Sequence, residues 1–297
     1  PRRETMQFTL PARKPFNFNS VLDSHGWRQL APFEYDESGP ALLYTDQLRS
    51  GRVVTYRFSE AEEGLKVETS RLTNAEKREA SGKAAWMFGL DADFKRFYAA
   101  ARGEPKLSKA RRLAHGRVLR SPTLFEDVVK TILTTNTLWS ATKRMNLNLI
   151  RECGASALDD SDRRAFPMPQ AIAAAGPDAL RENVRVGYRA PAIHDLAARV
   201  ASGEYDLEGL KTSSLPTLEL RQELLKIKGV GPYAAANLLL ILGRSDFIPI
   251  DSWALKLVSH EWYDGQPVTA KEVEKAFEGW GEYKGLAFWF WDWKFKG

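Results

Sequence analysis

The segment at residues 225–235, LKIKGVGPYAA, constrains the fold of this 297-residue chain more than any other. Its two glycines, Gly229 and Gly231, allow left-handed backbone angles or the close approach of another group. Pro232 suits the first turn of a helix. Leucines at positions 218, 220, 224 and 225 indicate a helix before the glycines, and the apolar run at 234–242 is typical of a buried helix after them. The segment therefore predicts a helix, a tight hairpin and a second helix.

The start of the second helix has the properties of a phosphate-binding site. The N–H groups of a first helical turn lie at the positive end of the helix dipole and suit an anion. Lys226 and Lys228 add positive charge, and Val230 is predicted to be the apolar plug of the hairpin. The alternative is a C-cap and turn that joins two core helices. Pro232, the basic flank and the small Ala235 favour contact with DNA.

This segment and the loop after it resemble the helix-hairpin-helix (HhH-GPD) DNA glycosylases. In that superfamily a loop containing Gly and Pro, and then an essential aspartate, follow the hairpin. Residues 243–251, GRSDFIPID, match this arrangement in length and order. The resemblance implies that Asp251 is the catalytic carboxylate. It also implies that the DNA backbone is bound at Lys228, Gly229, Val230, Gly231 and Tyr233.

The physical case for Asp251 can be made separately. It precedes a predicted helix that begins at Ser252, so it is well placed to be an N-cap. A carboxylate beside an extruded nucleotide can stabilise an oxocarbenium-like sugar and orient or deprotonate a water molecule. Capping alone is the alternative, and the two roles are compatible. Asp246, near Arg244, is predicted to be a solvated turn residue.

Tyr233 decides the predicted reaction subtype. In the members of the superfamily that also cut the strand, a lysine stands two residues after the second hairpin glycine, where this chain has Tyr233. A phenol cannot form a Schiff base. The resemblance therefore implies hydrolysis of the glycosidic bond by water, without lyase activity. Tyr233 is either a wall of the base pocket or a core aromatic at the base of the hairpin.

A second region of resemblance covers residues 117–145. Pro122 is predicted at the first position of a helix that continues through Leu133, and a polar stretch at 134–137 separates it from a helix that opens at Leu138 and Trp139 and runs through Leu149. In the superfamily this interruption carries a residue that wedges into the duplex and fills the space of the flipped base. The resemblance implies that Asn136 is this wedge. An ordinary turn between helices is the alternative.

Residues 186–190, VGYRA, give a shorter match, to the 8-oxoguanine branch in particular. Tyr188 and Arg189 lie within it. From the residues alone, a packing aromatic and a structural ion-pair partner are the favoured interpretation. The match therefore bears on the fold more than on the chemistry.

The C-terminal end is dense in aromatic side chains between Trp280 and Phe295, most of which we expect in the core. An electron-poor alkylated base binds well between electron-rich rings, through a cation–π contact. In the superfamily a C-terminal aromatic helps to line the pocket, and Trp293 is one of the rings considered for that position. The predicted base-pocket residues are Tyr233, Trp139, Trp253 and Trp289.

Composition agrees with a partner that is a polyanion. The 43 Lys and Arg exceed the 38 Asp and Glu, and the resulting charge of +5 favours DNA only if it is localised. Candidate basic stretches are residues 106–120 and the hairpin lysines, although a solvated helix face is the default interpretation of each. A monomer that binds double-stranded DNA containing a damaged base is expected.

The single cysteine, Cys153, excludes a disulfide framework and a four-cysteine cluster, so the iron–sulfur cluster of some branches is not expected. The four histidines lack metal-ligand spacing, and no catalytic metal or cofactor is predicted. A structural monovalent cation at the hairpin is left open. No apolar run approaches 18 residues and no signal-type segment is seen. We therefore expect an intracellular protein without membrane attachment, in the cytoplasm or nucleoid of a bacterium or the nucleus of a eukaryote.

The predicted fold class is α+β. Alternating apolar residues at 53–58 and 65–69 predict two strands of an antiparallel sheet, and 18–26 is a candidate helix packed on it. Helical periodicity dominates from residue 73. We predict an N-terminal sheet domain at 1–90 and a two-lobed helical glycosylase domain at 91–297. Its central lobe is placed at 121–245, with the helix-hairpin-helix at 216–242, and its second lobe combines 91–120 with 246–297.

Two classes of function follow. The first is a monofunctional DNA glycosylase, with alkylated purines as the leading substrate and 8-oxoguanine as the alternative. The second is a helix-hairpin-helix protein that binds DNA without chemistry. The presence of Asp251 at the matching position argues for the first class.

Overall fold

The computed structural model describes residues 5–36, 39–157 and 162–294. An N-terminal five-stranded sheet is followed by a chain that is mainly helical. The strands are β1 (Thr5–Pro11), β2 (Phe33–Asp36), β3 (Ala41–Gln47), β4 (Val53–Ala61) and β5 (Gly64–Ser70). The helices are α1 (Phe18–Leu22), α2 (Asn74–Phe88), α3 (Lys95–Ala100), α4 (Leu124–Thr134), α5 (Trp139–Cys153), α6 (Pro169–Glu182), α7 (Ala190–Ala201), α8 (Thr217–Leu225), α9 (Pro232–Ile241), α10 (Ser252–Trp262), α11 (Ala270–Ala276) and α12 (Lys284–Phe290).

The sheet is antiparallel throughout and has the order β1-β5-β4-β3-β2. The predicted hairpin is confirmed, because β4 pairs with β5 in a register that places Phe58 opposite Val67. Alternate residues of β4 are buried, as expected for a sheet with one covered face. The predicted α+β class is thus confirmed.

Two helices cover the sheet. Phe88 of α2 stacks on Phe18 of α1, with ring centroids 5.6 Å apart, and meets Phe58 of β4 edge-on at 5.0 Å. Thr73 and Glu76 form a reciprocal capping box at the start of α2, so the helix begins where helical periodicity starts in the sequence. The predicted helix at 18–26 is present but shorter, because α1 ends at Leu22.

A buried polar network joins the sheet to α4. The Tyr44 hydroxyl of β3 donates to Glu126 at 2.6 Å, and Lys130 pairs with the same carboxylate at 2.6 Å. Asp127 accepts from the Trp27 indole at 2.7 Å and from the Ser121 amide at 2.9 Å. These buried charges are tolerated because each has partners.

The start of α4 differs from the prediction. Thr123 is the N-cap, and its side chain accepts from the Glu126 amide at 3.2 Å. The helix begins at Leu124, so the prediction that Pro122 occupies the first helical position is wrong. A hydroxyl that satisfies an amide of the first turn favours Thr123 as the cap.

The basic stretch at 106–120 is not a solvated helix face. Its residues form a short 3-10 turn and loops. The Arg117 guanidinium is buried and donates to the carbonyl oxygens of Gly89 at 2.9 Å and Pro15 at 2.8 Å. Lys109 pairs with Asp292 at 3.3 Å. Much of this charge is therefore used within the protein.

The chain forms two compact units. The first contains the described residues of Pro1–Ala92 and Arg117–Gly209, and the second those of Asp93–Gly116 and Leu210–Gly297. The sheet and α4 to α7 belong to the first unit, and α3 and α8 to α12 to the second. The domain and lobe boundaries predicted from sequence stay a prediction. Among the described residues, no helix combines the length and the apolar character needed to cross a membrane.

Candidate active site

The hairpin between α8 and α9 lies in the second unit and has the predicted form. Gly229 adopts φ +83°, a left-handed angle that favours glycine. The Val230 amide donates to the Ile227 carbonyl at 3.0 Å, and the Val230 side chain is buried. Val230 is therefore the plug that anchors the hairpin, as predicted, while the backbone on either side stays exposed.

Gly231 is glycine for a different reason. Its φ of −92° and ψ of −175° are extended angles that any residue adopts. A Cβ built on it would have no atom within 4 Å. Neither conformation nor packing within the protein therefore requires glycine at this position. The open space is the volume that a group approaching the start of α9 would occupy.

The first turn of α9 is left uncapped by any side chain. Gly231 is its N-cap and has no side chain to accept a hydrogen bond, and Pro232 follows at the first helical position. Ala235 is fully buried, and its amide donates to the Gly231 carbonyl at 2.9 Å. The end of the helix is therefore fixed against the core while its first turn carries the positive end of the dipole.

The two hairpin lysines have different surroundings. Lys226 pairs with Glu223 at 2.6 Å on the exposed side of α8. Lys228 is exposed immediately before Gly229. Since exposed pairs contribute little and are easily exchanged, both lysines remain able to attract an anion.

Asp251 is the N-cap of α10, as predicted. Its Oδ1 accepts from the Ala254 amide at 2.8 Å, with extended backbone angles of −128° and −174°. The residue is exposed. One carboxylate oxygen is thus fixed by the helix and the group as a whole faces solvent, which is the placement that a carboxylate needs to meet a substrate.

Three of the predicted pocket residues share the second unit with Asp251. Trp253 lies in the first turn of α10 and is 41% exposed. Tyr233 is half-buried in the first turn of α9. Trp289 is half-buried near the end of α12 and lines a cavity of about 300 Å³ together with His115. Their roles toward a base stay predictions.

Three of the C-terminal aromatics, Phe288, Trp291 and Trp293, join a cluster centred on Phe277, which is fully buried. Its ring meets Trp262, Phe288, Trp291 and Trp293 with centroids 5.3 to 5.9 Å apart. Trp293, considered for the pocket, belongs to this cluster. Phe295 lies outside the described residues.

Asn136 lies in the turn between α4 and α5, in the first unit. It is exposed and adopts φ +47°, a left-handed angle that asparagine tolerates better than most residues. Its side-chain amide donates to the Tyr188 hydroxyl at 3.5 Å. That hydrogen bond is the main reason why the pKa of the Tyr188 phenol lies below its ordinary value.

The buried Arg189 side chain holds this turn in place through hydrogen bonds. Its guanidinium is buried and donates to the carbonyl oxygens of Ile132 at 3.2 Å, Val186 at 3.4 Å and Thr135. Of these acceptors, Ile132 lies in the last turn of α4, where its carbonyl also accepts from the Thr135 amide at 3.2 Å and the Thr135 hydroxyl at 2.8 Å. Arg189 is therefore structural, as the sequence favoured, but it binds carbonyl oxygens and not a carboxylate.

Sequence reasoning missed two residues at the same turn. Tyr188 is 66% exposed, with the Arg189 guanidinium 4.5 Å from its ring centroid, and it is not a packing aromatic. Leu138, just before α5, is 76% exposed. Asn136, Leu138 and Tyr188 form what we call the exposed tip. Only the short VGYRA match pointed to Tyr188, and no sequence signal marked Leu138.

Trp139 also belongs to the first unit, where its ring is engaged within the protein. Its indole N–H donates to Gln29 at 2.9 Å. The ring lies so close to Gly26 that a Cβ there would be 2.4 Å from it. The predicted site residues are thus divided, with Asn136 and Trp139 in the first unit and the others in the second. Among the described residues, no group of three or more His, Cys, Asp or Glu side chains is arranged to hold a metal ion.

Comparison with known proteins places this geometry in a family context. Residues 129–282 match the model of the HhH-GPD superfamily base excision DNA repair proteins. Among curated proteins, the sequence search found no match.

Several solved structures have a similar fold. A 3-methyladenine DNA-glycosylase from Archaeoglobus fulgidus is 21% identical over 96% of this chain and 97% of its own, with a TM-score of 0.74. MBOgg1, solved with a low-affinity DNA ligand, is 24% identical over 96% and 93%, with a TM-score of 0.72. An 8-oxoguanine glycosylase/lyase from Clostridium acetobutylicum, solved with double-stranded DNA, is 22% identical over 93% and 90%, with a TM-score of 0.70. At these identities the likeness concerns the fold.

Proposed function

The chain belongs to the HhH-GPD superfamily of base excision DNA repair proteins, and on that premise we propose that it is a monofunctional DNA glycosylase. It extrudes a damaged base from duplex DNA and hydrolyses the N-glycosidic bond. The observation that carries the proposal is the exposed Asp251 carboxylate, which is fixed by the Ala254 amide in the same unit as the open hairpin glycine.

The proposed chemistry uses one carboxylate and one water. As the bond between C1′ and the base nitrogen breaks, its electron pair leaves with the base and positive charge develops on the sugar. Asp251 stabilises that charge. A water molecule adds to C1′ and loses its proton to a base or to solvent. A positively charged alkylated base leaves as the neutral base, whereas an uncharged base such as 8-oxoguanine gains a proton as it leaves. The products are a free base and an abasic site in an intact strand.

The hairpin positions the lesion strand of the DNA. Amides near Gly231 and the positive end of α9 hold a backbone phosphate of the lesion strand. Asn136, in the exposed tip, enters the duplex and occupies the space of the extruded base. Extrusion costs a few kcal/mol, less for a damaged base, so a wedge that fills the gap favours the open state.

Tyr233 supports hydrolysis without strand cleavage. A lyase reaction needs an amine that condenses with C1′, and this position holds a phenol. Trapping with borohydride tests this directly. Wild-type protein should form no covalent complex with DNA, and a trapped complex would contradict the monofunctional assignment.

We propose alkylated purines as the leading substrates. The exposed Trp253 and the half-buried Tyr233 lie in the first turns of α10 and α9, whose N-cap residues are Asp251 and Gly231. Electron-rich rings bind a positively charged alkylated base through a cation–π contact. The alternative is 8-oxoguanine, which the VGYRA segment and the Asn136–Tyr188 contact favour. We further propose that the protein acts as a monomer, without a cofactor.

The test is a panel of end-labelled duplexes that carry 3-methyladenine, 7-methylguanine or 8-oxoguanine. Each is incubated with wild type, Asp251→Asn and the control Asp246→Asn, and then treated with or without hot alkali. Cleavage that requires alkali and is lost only in Asp251→Asn supports the proposal. Strand cutting without alkali contradicts it. Binding without base release in any protein supports a DNA-binding protein without chemistry.

A further inference from the structure

One face of α5 carries arginines in line. Helical spacing places Arg144, Asn148 and Arg151 on a single stripe, because residues three and four apart are neighbours on a helix surface. Both arginines are exposed. The opposite face carries Asn146 and Leu149, which are fully buried. The arginine stripe is therefore the centre of the exposed face of α5.

A neighbouring segment lies along this stripe. The Asn148 side-chain amide donates to the Val184 carbonyl at 3.2 Å, and the Asn183 side-chain amide donates to Glu152 at 2.8 Å. Both contacts join α5 to the segment between α6 and α7. Residues 183–186 are therefore held beside Arg144 and Arg151.

That segment presents a third arginine. Val184 and Val186 are fully buried, while Arg185 between them is exposed. Arg185 adopts φ +63°, a left-handed angle that is unfavourable for an arginine. Because both neighbours are anchored in the core, the Arg185 side chain is directed away from it. The backbone thus bears a conformational cost at a residue whose side chain is exposed.

These three arginines differ from most cations of the first unit. Several other exposed or half-buried cations pair with carboxylates, as in the pairs Arg28–Asp23, Arg52–Glu76, Arg57–Glu68, Lys83–Asp46, Arg163–Glu34 and Arg199–Glu204. Among the described residues, Arg144, Arg151 and Arg185 have no ion-pair or hydrogen-bond partner. The nearby Glu152 carboxylate accepts from Asn183, and Glu182 is exposed at the end of α6. The arginines outnumber these carboxylates, so the surface keeps a positive charge.

The arginine surface adjoins the exposed tip. Leu138 directly precedes α5, and Tyr188 lies three residues after Arg185 and accepts from Asn136. Arg144 and Arg151 are about 10 Å apart along the helix axis, at about 1.5 Å per residue. That length corresponds to about three base-pair steps of 3.4 Å. A duplex that runs along α5 beside the tip would therefore bring phosphates about three base-pair steps apart to Arg144 and Arg151.

We propose that Arg144, Arg151 and Arg185 form an arginine ridge that binds the phosphate backbone of duplex DNA beside the exposed tip. The inference rests on the proposed function, because it takes the tip as the point where the duplex is opened. A phosphate is the fitting ligand because guanidinium groups bind its oxygens in a fork geometry. The ridge lies in the first unit, as the exposed tip does.

The test compares DNA affinity across salt concentrations. The variant combines Arg144→Gln, Arg151→Gln and Arg185→Gln, and the probe is a duplex with an abasic-site analogue, which needs no chemistry. The slope of log K against log salt is negative, and each lost phosphate contact should reduce its magnitude by about 0.9. We expect a slope reduced by about 2 to 3 and an affinity at least tenfold lower near 100 mM salt.

A matched control removes three exposed cations from other parts of the same unit, through Lys14→Gln, Arg49→Gln and Arg78→Gln. Both triple variants change the net charge equally, so a general charge effect would lower the two affinities alike. Thermal unfolding shows whether each variant is folded. An unchanged slope in the ridge variant, or an equal loss in the control, overturns the proposal.

Failure of the ridge and failure of the proposed function give different results. If wild type excises a base and the ridge variant keeps the wild-type affinity and slope, the ridge is wrong while the glycosylase stands. If no modified base is excised but the ridge variant alone loses affinity and slope, the ridge stands while the enzymatic function is wrong. Repeating the titration in the Asp251→Asn background excludes turnover as a contribution to the binding signal.

Discussion

The Arg189 guanidinium donates to the carbonyl oxygen of Ile132 at 3.2 Å, across 57 positions of sequence. The same buried guanidinium also donates hydrogen bonds to the carbonyl oxygens of Val186 and Thr135. Together these hydrogen bonds hold the turn after α4, in which Asn136 is exposed. The arginine that the sequence favoured as a structural ion-pair partner therefore binds carbonyl oxygens inside the protein. Its effect on DNA is indirect, through the position of the tip.

Arg189→Ala should destabilise the protein by about 2 to 4 kcal/mol, because it removes the hydrogen bonds of a buried guanidinium to three carbonyl oxygens and leaves a cavity in its place. Arg189→Lys should restore only part of this stability, since one ammonium cannot reach all three acceptors. Urea unfolding measures both. The exposed Arg181, which pairs with Asp178 at 3.1 Å, provides the control, and Arg181→Ala should change stability by less than about 0.5 kcal/mol. Equal midpoints for Arg189→Ala and wild type would refute the structural role.

Substitutions at Asp251 should separate capping from catalysis. Asparagine is as good an N-cap as aspartate, so Asp251→Asn should keep stability within about 0.5 kcal/mol. Asp251→Ala should lose about 1 kcal/mol, because the Ala254 amide loses its acceptor. Both should lower single-turnover base excision by about 10²- to 10³-fold. A fully active Asp251→Asn would leave the residue with a capping role alone.

The two hairpin glycines should respond in opposite ways to alanine. Gly229→Ala places a side chain at φ +83° and should destabilise the protein by about 1 kcal/mol or more. Gly231→Ala meets extended angles and open space, so stability should be unchanged or higher by about 0.4 to 1 kcal/mol. Its methyl group occupies the approach to the α9 amides, and DNA affinity should fall about tenfold, or about 1.4 kcal/mol.

Thermal unfolding and a binding titration on the same samples check this prediction. A loss of affinity in Gly231→Ala with no loss of stability identifies the glycine as a contact position. Unchanged affinity in a stable Gly231→Ala would argue against phosphate binding at the start of α9.

Stability should depend on the ionisation of Asp127. Burial, as the largest cause, raises the pKa of this carboxyl from 3.8 to about 6. Its Oδ2 has no hydrogen-bond partner, so the buried carboxylate is less stabilised than one with both oxygens hydrogen-bonded. A raised pKa in the folded state gives stability that is fully present below pH 3.8 and is lost as the pH rises through 6. The change should amount to about 3 kcal/mol, since one pKa unit corresponds to about 1.36 kcal/mol.

Asp127→Asn isolates this contribution, because asparagine can still accept from Trp27 and Ser121 but does not titrate in this range. The stability of wild type relative to Asp127→Asn should fall between pH 4 and pH 7. The comparison with the variant is needed because Asp46, with a pKa also raised to about 6 by burial, titrates in the same window. A difference that is independent of pH would exclude a raised pKa at Asp127.

Local signals in the sequence were sufficient for the core of the candidate site. The hairpin depends on a left-handed Gly229 and a plug at Val230, and the Asp251 cap spans only three residues to Ala254. Features of this range are encoded by neighbouring residues. For the same reason the β4–β5 hairpin was found, since its strands are separated by only two residues.

Local signals were not sufficient to place the start of α4, which begins two residues after the predicted Pro122. Pro122 and Thr123 are both favourable near a helix start, and the hydroxyl of Thr123 decides between them by binding the Glu126 amide. The interpretation of the basic stretch at 106–120 as a solvated helix face was wrong for another reason. Whether a lysine or arginine is buried depends on partners far along the chain, such as the Pro15 carbonyl that accepts from Arg117, 102 residues away.

The sequence by itself determined the helix-hairpin-helix, the carboxylate that follows it and the α+β class, because each rests on backbone angles, caps and periodicity within a few residues. Only the tertiary structure decided that Arg189 is buried, that Tyr188 is exposed beside Asn136, and that Arg144 and Arg185 share one surface. Those outcomes depend on contacts such as that of Asn148 with Val184, 36 residues away, which the core imposes by burying the valines on either side of Arg185. The physical reason is that exposure and charge pairing belong to the packed chain and not to any short segment of it.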